Sequence, residues 1–122
     1  MKRILAEESR WEEDAYAPFY LSVHDEKGEI LYEVYLSPHN EPELAGLNAE
    51  LEQAGFEVNG YGWEKAIRAF LAKKAPNLNE QVEGDSDREA CVLYTTTEAN
   101  YRQLLALSWE LAQRPPQIGQ LT

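Results

Sequence analysis

The segment from Phe19 to Ser37, FYLSVHDEKGEILYEVYLS, constrains the fold of this chain more than any other stretch. Apolar residues recur at every second position on both sides of DEKG. Phe19, Leu21 and Val23 alternate with Tyr20, Ser22 and His24. Ile30, Tyr32, Val34 and Leu36 alternate with Leu31, Glu33 and Tyr35. A period of two is that of strands with one face on a core. Asp25 and Gly28 suit the two ends of a four-residue turn, so the segment reads as an antiparallel hairpin. Two registers are open. A two-residue loop aligns Val23 with Ile30 and gathers the apolar side chains on one face. A type I turn with a bulge at Gly28 shifts the pairing by one and mixes the faces. In either register the second face keeps aromatics and is not bare.

The pattern then changes to a helical period. In NEPELAGLNAELEQAGF, Asn40 and Glu43 have the spacing of a capping box, and Leu44, Leu47, Leu51 and Ala54 form one stripe. Gly55 suits a left-handed C-cap, with Phe56 as the apolar contact after it. A second helix carries Trp63, Ala66, Ile67, Phe70 and Leu71 on one face, with Glu64, Lys65 and Arg68 opposite. Lys73 and Lys74 suit its negative end, and Pro76 stops it. NLNEQVEGDSD reads as a polar loop. EACVLYTTT reads as a central, covered strand. Thr97 caps a last helix from Glu98 to about Gln113, whose apolar face is broad enough to pack across a sheet. A short strand at Lys2–Glu7 completes the pattern.

The class is α+β: a mostly antiparallel sheet including the N-terminal hairpin, with about three helices packed on it. The length of 122 residues suits one domain, with 1–16 and 114–122 as peripheral or mobile ends. There is no internal repeat.

Charge narrows the function classes. Twenty-two acids face 11 bases, for a net charge of −11. Such a surface repels phosphate backbones, which argues against nucleic-acid binding, and favours a cationic partner. One cysteine, Cys91, precludes an internal disulfide and lies in an apolar run. No signal-peptide pattern and no apolar run of spanning length is present, so a cytoplasmic, non-membrane protein is expected.

The chemistry-bearing residues form no motif. His24, His39 and Cys91 are too scattered for a zinc site, and EGDSDRE lacks the order of a calcium loop. Ser22, Ser37 and Ser108 have no nucleophile elbow around them. No metal, cofactor or catalytic residue is assigned. The unusual stretch is Asn59-Gly60-Tyr61-Gly62-Trp63. Asn59 can cap a helix, the glycines permit close backbone approach, and Trp63 begins a buried face. Tyr61 cannot share that face. It packs under a neighbouring loop or stands at the surface.

NGYGW followed by EKAIRAFL, and then DSDREACVLYTTTEANYRQLLAL, resembles the immunity protein 51 family of bacterial polymorphic-toxin systems. The resemblance covers roughly Phe19 to Leu111. Its sharp motif is Gly60-Tyr61-Gly62-Trp63, with Gly62 at a position that varies in the family. It implies a non-catalytic protein that binds and neutralises a cognate toxin protein made by the same cell or its kin; the acidic charge suits a basic toxin, and the neighbouring gene is the place to look for it. With the acidic charge, the resemblance makes Tyr61, Tyr32 or Tyr35 on the hairpin, and Asp85 and Asp87 the candidate partner-binding residues. Two other classes stay open: a small acid–base enzyme with a pocket near Tyr61 and His39, and a regulatory module binding a basic protein.

Overall fold

The computed structural model describes residues 19–39 and 44–121. The expected strand at Lys2–Glu7 and the Asn40–Glu43 capping box lie outside them. The order is β1 Tyr20–Glu26, β2 Glu29–Leu36, α1 Ala45–Gln53, α2 Gly60–Lys74, α3 Pro76–Gln81, β3 Glu83–Gly84, β4 Cys91–Thr95 and α4 Glu98–Gln113. A 3-10 segment, Pro115–Leu121, follows. The strands form one antiparallel sheet in the order β1-β2-β4-β3. This is the α+β architecture that the two periodicities imply.

The hairpin differs from both expected registers. Its two-residue loop is Lys27–Gly28, and Glu26 pairs with Glu29, so Val23 faces Tyr32 and Asp25 faces Ile30. Both loop residues have positive φ, 52° at Lys27 and 88° at Gly28, as a type I′ turn requires. The Asp25 carboxylate accepts from the Gly28 backbone N–H at 3.2 Å and holds the turn. The loop lies one residue further on than expected, which moves each pairing by two. Side-chain parity is therefore kept, and Phe19, Leu21, Val34 and Leu36 still share the core face.

One core joins that face to the helices. It includes Leu47 and Leu51 of α1, the expected Trp63, Ala66, Ile67, Phe70 and Leu71 of α2, and Tyr101, Leu104, Leu105 and Leu111 of α4. Gly55 at φ 92° ends α1 in a Schellman motif, with Phe56 N–H donating to the Leu51 carbonyl at 3.1 Å and Gly55 N–H to that of Glu52 at 3.0 Å. Thr97 Oγ1 accepts from the Asn100 N–H at 3.2 Å and starts α4. Strand β4 is central as expected, but only one of its faces is deeply covered. Cys91, Leu93 and Thr95 are buried, while Val92 and Tyr94 on the other side are half-buried.

The stretch expected to be a polar loop contains α3 and β3. Pro76 ends α2 and then serves α3 at its first turn, where a missing N–H costs nothing. Leu78 and Val82 are buried beneath it. Arg68 fastens the segment: its guanidinium donates to the Val82 carbonyl at 2.9 Å and to Glu64 at 3.1 Å. The tail is docked rather than loose. Ile118 is fully buried, and Lys73 Nζ donates to the Gln120 carbonyl at 2.6 Å.

Candidate functional site

The NGYGW corner is held by backbone contacts that only glycine permits. Asn59 caps α2, its Oδ1 accepting from the Gly62 N–H at 2.8 Å, while its Nδ2 donates to Glu57 at 2.8 Å. A Cβ on Gly60 would land on the carbonyl oxygens of Asp87 and Ala90, and one on Gly62 would land on that of Glu57. Gly60 N–H donates to the Arg88 carbonyl at 3.3 Å. The first turn of α2 therefore lies flat against the acidic loop that precedes β4. Trp63 is fully buried, and its Nε1–H donates to Asn48 Oδ1 at 2.9 Å. Tyr61 is turned outward and is 45% exposed, the one exposed large hydrophobic side chain among the described residues.

The acidic loop is ordered by its own side chains. Asp87 Oδ1 accepts from the backbone N–H groups of Glu89 and Ala90, at 2.8 and 2.9 Å. Ser86 Oγ accepts from Val92 N–H at 2.9 Å, and Asp85 N–H donates to the Val92 carbonyl at 2.9 Å. Asp85 and Asp87 are both exposed. The fold thus brings Tyr61 beside the loop that carries them.

The hairpin tyrosines separate by face. Tyr35 lies on the outward face, half-buried, stacked on Tyr20 with centroids 5.4 Å apart. Tyr32 requires a correction as a surface candidate. It points into the core, is 6% exposed, and packs on Tyr101 at 5.4 Å. Its period already placed it with Ile30 and Val34.

The outward face also carries, beside Asp85, residues that sequence reasoning did not select. A groove of about 460 Å³ is lined by His24, Asp25, Leu31, Glu33, Asp85 and Tyr94. Register builds it: Glu33 faces Tyr94 across β2 and β4, Glu83 faces Tyr94 from β3, and His24 faces Leu31. The alternation could have placed His24, Leu31, Glu33 and Tyr94 outward. The cross-strand pairing that joins them could not be read without the register.

Ser22, His24 and Glu33 also meet on this face, but not as a catalytic triad. Ser22 Oγ lies 2.8 Å from His24 Nε2, and Glu33 Oε1 lies 3.5 Å from the same nitrogen. A triad needs the acid and the nucleophile on opposite ring nitrogens, so that one orients the base which the other uses. A flipped ring would put Cε1 rather than a nitrogen between the two oxygens. His39 and Tyr61 do not line this groove.

Cys91 is buried, and its thiol is pushed up to about 12, chiefly by loss of solvent. Such a thiol is a poor nucleophile. Among the described residues, no group of three or more His, Cys, Asp or Glu side chains is placed to hold a metal ion. No described helix is long and apolar enough to cross a membrane.

By fold this is an α+β protein built on a four-stranded antiparallel sheet whose core face packs on the described helices, and the exposed surface at Tyr61, Asp85 and Asp87 is aromatic and acidic. The sequence model of the immunity protein 51 family matches residues 20–114, and the chain belongs to that family. The match spans nearly the whole stretch over which the motifs resemble it. Comparison with curated proteins and with solved structures gave no match.

Proposed function

We propose that this protein is a non-catalytic immunity protein that neutralises a cognate toxin by binding it one-to-one through an acidic and aromatic surface. Family membership supports the toxin-neutralising role. The observation that carries the surface is Tyr61, exposed and seated beside the Asp85–Asp87 loop by the glycine contacts of the α2 start. A large amphipathic ring on a rigid corner is a good anchor, because little side-chain entropy is lost on binding. Carboxylates around it steer a basic partner and speed encounter. Many toxin domains act on nucleic acids through basic clefts, and a surface of this kind complements them. Tyr35, on the outward sheet face, joins the same set of contacts.

The reading places the protein in the cytoplasm, where a toxin of the same cell or its kin would act. The test is protection. Cells expressing the toxin domain encoded beside this gene should survive when the chain is co-expressed, and the two proteins should co-purify in equal amounts. Tyr61→Ala should weaken the complex by about 2 kcal/mol or more if the ring is an anchor. Survival without a complex, or a complex indifferent to Tyr61, would contradict the proposal.

A further inference from the structure

The groove on the outward sheet face has a composition that the family assignment does not explain. Leu31 and Tyr94 line it beside the acids and His24. Acids stand on both sides of Tyr94, Glu33 from β2 and Glu83 from β3, in one row across three adjacent strands. Neighbouring strands lie about 4.8 Å apart, so the backbones that carry the two glutamates stand roughly twice that spacing from each other, with Tyr94 between them. Asp85, which follows β3, also lines the groove, and none of its described lining residues is a lysine or arginine. Among the described residues, no ion pair engages Asp85.

We infer that this groove is a docking site for an arginine side chain on a basic segment of a partner protein. The inference rests on the toxin-binding reading and names the chemistry that the toxin would bring to this face. A guanidinium is planar: it stacks on an aromatic face while its edge donates to carboxylates. The groove sets the Tyr94 ring together with the carboxylates of Glu33 and Asp85, and Glu83 pairs with Tyr94 in the sheet register. Lysine matches it less well, being a compact, strongly hydrated charge. Phosphate-bearing ligands are repelled by the same carboxylates. The groove is continuous with the acidic loop through Asp85, so an arginine here and a contact at Tyr61 can belong to one interface.

The test uses the full chain, isotope-labelled, and two synthetic peptides. One is a five-residue glycine peptide with arginine at positions two and four. The other carries citrulline, the neutral isostere, in place of arginine. The arginine peptide should produce saturable NMR shifts at the Tyr94 ring, the Leu31 methyls and the His24 ring, and the citrulline peptide should not. Glu33→Gln with Asp85→Asn should weaken binding at least fivefold. Glu50→Gln with Glu52→Gln, on α1, should leave it within twofold. Shifts spread over several acidic patches, equal binding of citrulline, an equal loss in the α1 variant, or no shift at Tyr94 at millimolar peptide would each overturn the inference. Self-association that buries the groove would do the same. None of these outcomes involves the toxin. A wild-type chain that binds the toxin domain but ignores the arginine peptide loses only this inference, and one that fails to bind the toxin loses the functional reading.

Discussion

Trp63 Nε1–H donates to Asn48 Oδ1 at 2.9 Å, and Asn48 Nδ2 donates in turn to the Pro38 carbonyl at 3.1 Å. This short chain ties the family motif to α1 and to the end of the hairpin. Asn48→Ala leaves a fully buried indole N–H without its acceptor. Stability should fall by about 1–3 kcal/mol in urea denaturation. In the Trp63→Phe background, the same Asn48→Ala change should cost measurably less, because the orphaned donor is gone.

Glycines at helical positions should respond in opposite directions. Gly46 in α1 has open space where a Cβ would stand, and Gly46→Ala should stabilise by roughly 0.5–1 kcal/mol. Gly60→Ala and Gly62→Ala place a methyl onto backbone carbonyls that cannot swing away like side chains. Each should destabilise by on the order of 1–3 kcal/mol or more. Thermal melts of the three variants would check the ordering.

Ser108 is fully buried in α4, and its hydroxyl has no hydrogen-bond partner among the described residues. Ser108→Ala removes a desolvated polar atom and improves helix propensity. Stability should rise by about 1 kcal/mol by chemical denaturation.

Cys91 should make stability fall at high pH. Its thiol is raised from 9.0 to about 12 in the folded chain, so the unfolded chain loses this proton first. The stabilising contribution is complete below pH 9 and is lost as the pH rises towards 12. Between pH 9 and 10, wild type should lose more stability than Cys91→Ala, by about 1 kcal/mol. The thiol should also react with a disulfide reagent only as fast as the protein opens.

Much of the fold was legible because its signals are local. Periods of two and 3.6 located the hairpin and three helices. Asn59, Thr97 and Gly55 marked ends through side-chain or backbone geometry that each residue type favours. The hairpin loop was misplaced because a lysine at φ 52° is unusual, and the Asp25–Gly28 spacing pointed one residue earlier. α3 escaped notice because six mostly polar residues hold it through Leu78, the neighbouring Val82 and the distant Arg68 clamp. Tyr32 drew attention as an aromatic although its parity assigned it to the core. The groove was illegible for a different reason: it joins side chains from three strands, and no local pattern states which residues face one another.

If an acidic, aromatic face binds a basic toxin domain, the association kinetics must carry its electrostatic signature. The chain would be immobilised and the product of the neighbouring gene flowed over it at rising ionic strength. Screening lengths fall from roughly 30 Å to 8 Å between about 0.01 M and 0.15 M salt. One-to-one binding is expected, with an association rate that drops several-fold across that range. In Asp85→Asn with Asp87→Asn, association should be slower and its salt dependence flatter. Binding with an association rate indifferent to salt would contradict the electrostatic surface, and absence of binding would contradict the immunity function itself.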